Sequence, residues 1–347
     1  MTTIRDVAAR AGVSVGLVSS VLNNSAPVSP ALRRRVLQAV DDLGYVPHAV
    51  ARSLKLGRTG TIGLVMPDIT NPHFAALACI IEAACDEAGF MLTLCSTSDD
   101  HPKELRQLRL MQRQRVDGLV FIPGGPSEVD AALLNAAITA PAVMLDRTIA
   151  GLHADAVLLD NHQAAHILTA HLIAQGHTRI GLVAGRPDIR ISRHREAGYR
   201  TALAAHGLAV DATLIGYGQF QEDGAHRAAL ALLDLPSPPT ALVSTSNHTT
   251  VGIMRALAER HLACPAGISL VAIDDLPWST GFAPRLTVAA QPFEAMGRTA
   301  STWLLDRILG RYRGAPRSSV HQPRLVVRGS VSHPPLAGAP GADAPGG

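Results

Sequence analysis

The first 44 residues carry three short stripes of apolar positions at helical spacing. Ile4, Val7, Ala8 and Ala11 make the first, Val18, Val21 and Leu22 the second, and Leu32, Val36, Leu37, Val40 and Leu43 the third. Recurrence at i, i+3 and i+4 puts each set on one face of a helix. From Thr61 the pattern changes to short unbroken apolar runs, at 61–67, 91–96, 117–123, 142–147, 156–161, 179–185, 241–244, 269–274 and 286–291. Helical patterns separate most of them, for example 74–88, 103–115, 163–175, 194–206, 249–261 and 293–309. Continuous Val/Ile/Leu runs with helical crossovers predict parallel sheets covered on both faces. "TGTIGLVMPD" (59–68) and "HTRIGLVAGRPD" (177–188) each open such a series, so the pattern predicts two similar α/β lobes with open parallel sheets. A cleft between such lobes gathers the carboxyl ends of strands and is the expected small-ligand site.

Turn and cap residues punctuate the N-terminal helices. Thr3 is placed to cap the first, with Asp6 three positions on as a shorter form of the capping box. Gly12 supplies the left-handed turn that ends it, and Ser14 caps the second helix. Ser29 before Pro30 is an N-cap and first-turn signal for the third, which Gly44 closes. The expected organisation is a headpiece over 1–46, a hinge helix and linker over 47–60, a two-lobed core over 61–330 and a Pro/Gly/Ala tail over 331–347, predicted disordered.

Charge sharpens this division. The net charge is +3, yet residues 1–60 hold eight Lys/Arg against three Asp, leaving −2 for the remainder. A basic arm on a near-neutral body suits a polyanionic partner for the arm alone. No run approaches the roughly 18–20 apolar residues that cross a bilayer, so no membrane partner is expected. The N-terminus lacks the apolar centre of a signal peptide, so export is not expected. Cys79, Cys85, Cys95 and Cys264 show no metal-binding spacing and read as buried free thiols. His162 and His166 are four apart on a helical pattern, a metal-capable spacing without a third ligand, so no metal and no cofactor are expected. No nucleophile elbow, phosphate-binding loop or paired-carboxylate pattern stands out, so the chain does not read as an enzyme.

Two short helices joined at Gly12, the second capped by serine, match helix-turn-helix spacing, although any small three-helix domain can show it. In that motif the second helix presents its N-terminal residues to base edges, here Val15, Gly16 and Ser20. "IRDVAARAGVSVGLVSSVLNN", followed by "VSPALRRRVLQAVDDLGYVPHAVARSLKLGRTGTIGLVMPDITNPHF", resembles the lac-repressor family of bacterial transcription regulators. The resemblance continues through "VDGLVF", "MLDR", "HLIAQGHTRIGLVAG", "REAGYRTAL", "GISLVAIDD" and "LTVAAQP", over roughly residues 2–330. It implies a helix-turn-helix headpiece, a hinge helix and a core similar to periplasmic sugar-binding proteins. It further implies a cytoplasmic, nucleoid-associated homodimer that reads near-palindromic double-stranded operator DNA under control of a small effector.

Carried over position by position, the resemblance makes Thr3, Ser14, Ser19, Asn23 and Ser29 phosphate-contacting residues. It makes Val15 and Gly16 the main base-reading pair, with Ser20 the next reader where the family usually has arginine. A serine cannot make arginine's bidentate guanine contact, so the preferred half-site should differ there. His48 stands where a hinge asparagine is usual. Leu54 matches the leucine that wedges into the minor groove, with a core leucine as the plainer alternative, and Arg52, Lys55 and Arg58 are then phosphate neighbours. Arg33 to Arg35 can equally be a solvated helix face.

The same comparison places Phe74, Asp99, Asp146, Arg195, Phe220, Ser246, Asp274 and Phe293 in the cleft. Aromatics make up only 3% of the chain, so three phenylalanines at cleft positions suit stacking on the apolar face of a sugar or base. Core packing for the phenylalanines, and an interlobe ion pair for Arg195 and Asp146, are the alternatives. Ser246-Asn247 replaces the family's usual Asn-Asp. "RPDIRISRHR" (186–195) brings four arginines and a histidine beside the cleft, which suggests an anionic effector, a sugar acid or sugar phosphate. A neutral sugar is the rival. The rival for the whole chain is a solute-binding protein serving a sugar transporter.

Overall fold

A computed structural model describes residues 2–23, 26–45, 58–126, 131–275, 281 and 283–334. The chain divides into two compact units, Met1–Gly60 and Thr61–Gly347.

The first unit holds α1 (Ile4–Ala11), α2 (Val15–Asn23) and α3 (Pro30–Asp42). Thr3 and Asp6 make the reciprocal capping box, and Gly12, at φ 60°, ends α1 in the left-handed region. Leu17 N–H donates to Ser14 Oγ at 3.2 Å, as expected of a cap. Ser29 departs from expectation: it occupies the N-cap position of α3, but its side chain makes no capping hydrogen bond. Pro30 sets the helix start instead, because its ring fixes φ near the helical value. Val7, Val18, Val21 and Val36 are buried at the centre of the unit, with Leu22 and Leu43 packed around them. Arg35 is more than a solvated charge, since it donates to Gly12 O at 3.2 Å and pins the turn between α1 and α2.

The second unit is built on two six-stranded sheets. The first sheet contains β1 (Thr61–Met66), β2 (Met91–Ser96), β3 (Gly118–Phe121), β4 (Ala142–Leu145), β5 (Asp155–Leu159) and β11 (Ser318–His321). Their order is β11-β5-β4-β3-β1-β2, all parallel. The second contains β6 (Ile180–Ala184), β7 (Ile215–Tyr217), β8 (Ala241–Ser244), β9 (Ser269–Ile273), β10 (Thr287–Ala290) and β12 (Arg324–Val326), in the order β12-β10-β9-β8-β6-β7. Only β12 runs antiparallel, against β10. All nine apolar runs become strands. β7, β11 and β12 lie at sheet edges, are three or four residues long and partly exposed, and so lack an unbroken apolar run.

Helices α4 (Pro72–Glu87), α5 (His101–Arg113), α6 (Ala131–Ala137) and α11 (Phe293–Ile308) serve the first lobe. Helices α7 (Asn161–Ala174), α8 (Arg190–Ala205), α9 (Glu222–Leu233) and α10 (Asn247–Glu259) serve the second. The chain therefore crosses between lobes after β5, after β10 and after β11. Helices α7 and α8 pack so closely that a Cβ on Gly198 would stand 2.1 Å from His162 O. One apolar cluster runs through both lobes, from Ile62, Leu64 and Val143 to Leu182, Val243 and Val271. At the base of the first lobe Asp155, fully buried, pairs with Arg307 at 2.6 Å and Arg317 at 3.0 Å. Burial opposes its charge, but these partners and the Arg317 N–H win and hold its pKa below the usual carboxylate value.

Two expectations need correction. Residues 331–334, expected to begin the disordered tail, are instead ordered against the second lobe: Ser332 N–H donates to Ser269 Oγ at 3.1 Å, and His333 Nδ1 lies 2.8 Å from Gln175 O. Residues 335–347 lie outside the described residues. The cysteines are free, but only Cys85 is buried and Cys79 is exposed, because Cys79 falls on the outer face of α4. Among the described residues no helix is long and apolar enough to cross a membrane.

Candidate functional site

Two surfaces carry the sequence expectations, one in each unit. In the first unit the start of α2 is a small exposed platform. Val15 is 41% exposed although it is β-branched and apolar, and Gly16 beside it is exposed. Ser19 and Ser20 are half-buried on the same helix, whose opposite face packs Val18 and Val21 inward. Ser14 is exposed but already caps α2, and the Thr3 hydroxyl donates to Asp6 at 2.8 Å. Ser29 is exposed at the head of α3. Asn23 ends α2, and its side chain lies outside the described residues, as do His48, Arg52, Leu54 and Lys55 entirely.

The second unit places its cleft at the carboxyl ends of strands from both lobes. Asp99 follows β2, Asp146 follows β4, Phe220 follows β7, Ser246 follows β8 and Asp274 follows β9. Phe74 lies in the first turn of α4, after β1, and Arg195 on α8, after β6. These seven expected residues line one cleft. Phe293 does not: it stands behind the wall, edge-on to the His73 ring at 5.2 Å, and packs on the core.

The backbone is strained where the cleft is built. Asp99, Asp146, Phe220 and Asp274 have φ of 53°, 64°, 59° and 87°. Aspartate tolerates that region, but a bulky residue there is costly, and such strain concentrates at functional sites. Phe220 is accommodated because Gly185 opposite has no side chain, and a Cβ there would come within 2.1 Å of Phe220 Cζ.

His73, Arg147 and Gln291, like Asp68, Asn71 and His248, are wall residues that carried no separate signal in the apolar pattern. His73 is 5% exposed and sits between two carboxylates, 3.6 Å from Asp146 and 3.8 Å from Asp274. Burial alone would lower its pKa, but the two carboxylates more than offset that and raise it above the usual histidine value. For Asp146 burial would raise the pKa, and His73, backed by Arg147 and Arg195, holds it below the usual value. Arg147 donates to Asp99 at 3.0 Å and to Pro123 O at 3.2 Å, and its guanidinium lies over the rings of Phe74 and Phe220. Behind it Glu104, fully buried, accepts from Gly124 N–H at 2.6 Å and so steadies the Pro123 segment. Arg195 is buried and donates to Asn161 Oδ1 at 2.7 Å and to Thr245 O. Asp274 accepts from Asn247 at 2.9 Å and from Gln291. Ser246 is a wall residue whose hydroxyl is committed to capping α10, accepting from Thr249 N–H at 3.2 Å.

The lobes meet across this cleft. Asn247 reaches Asn71 at 3.3 Å, His248 reaches Asp68 at 3.4 Å, and His73 faces Asp274. The space left is about 40 Å³, room for about one water molecule. Around it Arg147 Nε and Gln291 Oε1 have no hydrogen-bond partner, and His73 Nε2 and Asp146 Oδ1 meet only each other, as an ion pair at 3.6 Å. Buried polar groups are normally satisfied, so this concentration is hydrogen-bonding capacity held for something else.

Comparison with known proteins decides the family. The model of bacterial regulatory proteins of the lacI family matches residues 3–48, and that of a periplasmic binding protein-like domain matches residues 169–331. The HTH-type transcriptional repressor PurR of Aliivibrio salmonicida (strain LFI1238) is 34% identical over 331 residues, covering 95% of this chain and 99% of the relative. The chain belongs to the lacI family of bacterial regulatory proteins. The ribose operon repressor of Escherichia coli (strain K12) is likewise 34% identical, covering 95% of this chain and 100% of the relative. Among solved structures, the lac repressor dimer bound to operator and the anti-inducer ONPF superposes with a TM-score of 0.83 at 26% identity, covering 95% and 99% of the two chains. A transcriptional regulator CelR–cellobiose complex gives 0.71 at 31% identity, covering 95% and 100%. As in other members of the lacI family, a helix-turn-helix unit is joined to a core of two open α/β lobes.

Proposed function

We propose that the chain is a DNA-binding transcription repressor controlled by a small hydroxyl-bearing effector held between the two lobes. The observation that carries the effector half is the gathering of Asp146, Arg147, Arg195, Asp274 and Gln291 with Phe74 and Phe220 around one small space at strand carboxyl ends. Asp146 and Asp274 accept from hydroxyls, Gln291 accepts or donates, Arg195 and Arg147 donate to them, and Phe74 and Phe220 cover an apolar ring face. With about 40 Å³ free, an effector enters only by parting the lobes, which breaks the His73–Asp274 and Asn71–Asn247 contacts. That gives the ligand a different affinity for the two lobe arrangements, which any control by population shift requires.

The DNA half rests on the exposed start of α2 and on the family. Val15 offers a surface for a thymine methyl, Gly16 lets the backbone approach closely, and Ser20 bonds several bases without the selectivity of arginine. Two such units in a homodimer would read two half-sites. Leu54, as a minor-groove wedge between them, would move part of the specificity to the deformability of the central step. Selection of duplexes from a random pool by the full chain tests this reading. A two-fold symmetric motif, bound with an affinity that falls steeply with salt, is expected. Absence of any enriched motif overturns it.

A further inference from the structure

His73 sits on the seam between the lobes, yet the groups that fix its ring belong to the first. Its backbone N–H donates to Asn71 Oδ1 at 3.0 Å, and Pro72 ahead of it sets the start of α4. The ring is wedged edge-on between Phe74 at 4.8 Å and Phe293 at 5.2 Å. Asp146, just after β4 in the same lobe, lies 3.6 Å from Nε2. Asp274, just after β9 in the second lobe, lies 3.8 Å from Nδ1. The imidazole cannot follow the second lobe, so parting the lobes breaks the Asp274 contact and keeps the Asp146 one.

This placement selects a protonation state. A neutral imidazole carries one N–H and one lone pair, so it offers a proton to one carboxylate and turns a lone pair on the other. With a carboxylate beside each nitrogen, only the cation suits both. Gln291, 3.5 Å from Nδ1, donates to Asp274, and Arg195 on α8 opposes the imidazolium from across the cleft. The other carboxylates of the wall have partners of their own. Asp99 pairs with Arg147 at 3.0 Å, and Asp68 lies 3.4 Å from His248, which Glu222 also meets. Burial opposes the charge, but the two aspartates prevail and raise the His73 pKa above the usual histidine value.

Ligand entry shifts this balance in one direction. A hydroxyl-bearing ligand between the lobes still keeps water from His73, so the cost of burial stays. It occupies Asp274 with its own hydroxyls and moves that carboxylate away. Arg195 withdraws as well, but its opposition is weaker than the attraction of Asp274, so the cation loses on balance. Resting on the effector reading above, we infer that His73 is a proton-carrying latch: its imidazolium ties Asp146 to Asp274 across the lobes, and an effector that parts them expels the proton. Effector binding is therefore favoured by rising pH. The arrangement with the lobes together holds the proton more tightly and gains at low pH. Effector affinity then climbs between the His73 pKa in the complex and the higher one in the closed lobes, by at most ~10-fold per pH unit for one proton.

Two measurements on the full chain test this. The first needs no ligand: in NMR spectra of histidine-labelled protein, the imidazole resonance lost in His73→Gln is that of His73. Its titration midpoint should lie above ~6.5 and should fall in Asp274→Asn. A midpoint at or below that value, or one unmoved in Asp274→Asn, overturns the latch. The second is calorimetry with D-ribose, D-glucose, D-gluconate and cellobiose, following the tightest binder from pH ~6 to ~7.5 in PIPES and in ACES, buffers whose ionisation heats differ. The wild type should release part of a proton per ligand bound, and its affinity should rise at least ~3-fold over that range. His73→Gln should flatten both. Equal heats in the two buffers, proton uptake, or a release unchanged in His73→Gln overturns the inference. The wild-type buffer comparison decides by itself where a variant fails to fold. If none of the four sugars binds, the hydroxyl-bearing effector is contradicted, and the NMR midpoints uphold or overturn the latch separately.

Discussion

His73→Gln is the most informative single change in the cleft, because it removes the one buried imidazole between Asp146 and Asp274 and puts a neutral group in its place. At 3.6 and 3.8 Å, each attraction is worth about 4 kcal/mol at an effective dielectric near 20, against a desolvation cost of several kcal/mol for the buried cation. The raised pKa means that attraction wins. A group whose pKa is raised on folding stabilises fully below its unfolded value, near 6.5, and that stabilisation is lost as pH rises through the folded value. The wild type should therefore lose up to about 1.4 kcal/mol per pH unit above pH ~6.5, a fall in Tm of about 2–4 °C per unit. Burial lowers the pKa of His171, His177 and His194, so their contributions change below about 6.5 instead. The thiols of Cys85 and Cys264, pushed up to about 11, affect stability only where unfolded thiols ionise, near ~8.5. Thermal unfolding from pH 6 to 8 should show a falling curve for the wild type and a flatter one for His73→Gln. Parallel curves would refute the bridging role.

Three further outcomes follow from named contacts. Asp155→Asn leaves Arg307 and Arg317 facing a neutral amide, and should cost about 2–3 kcal/mol in urea unfolding, less than a fully enclosed pair because both arginines keep some solvent. Its carboxyl pKa is lowered on folding, so this stabilisation is present above ~3.9 and lost as pH falls through the folded value. The variant should lose part of that acid sensitivity, and an unchanged urea midpoint would contradict the pairing. Ser20→Arg should add about 1–3 kcal/mol of discrimination at one symmetry-related base pair, seen as a changed motif in selected duplexes; an unchanged motif would count against its placement at base edges. Leu54→Ala should weaken binding to the selected duplex while calorimetry shows unchanged cleft-ligand affinity; equal DNA affinity would remove the wedge role.

How much of this was legible in the sequence depends on which physical signal each feature leaves. Eight of the nine strands announce themselves because strands covered on both faces are unbroken apolar runs; β2, a half-exposed edge strand, is legible because it keeps the run Met91–Cys95 with one threonine. Thr3, Gly12 and Ser14 are legible because caps and left-handed turns demand particular residue types. The edge strands β7, β11 and β12 are not, since with three or four half-exposed residues each they are too short to carry such a run. In the cleft, Asp146, Arg195, Phe220 and Asp274 came from family resemblance, and no periodicity marks them. His73 and Arg147 lie inside the same quoted motifs, yet their roles arise from what the fold brings opposite them: Asp274 from the second lobe in one case, the Phe220 ring in the other. The arginine stretch shows the same limit. Its charge is visible in the sequence, but only the fold shows that Arg186 is neutralised by Asp188 while Arg195 is buried in the cleft wall.

The central claim is that occupancy of the cleft controls DNA binding. Fluorescence anisotropy of the selected duplex, titrated with the full chain at fixed salt with and without the tightest-binding sugar, tests it most directly. The account predicts a change in DNA affinity of at least ~5-fold at saturating ligand, the lower end of ordinary coupling energies, and no change in Arg195→Met, which lacks the buried guanidinium. A DNA affinity identical with and without a ligand that saturates the cleft would contradict it.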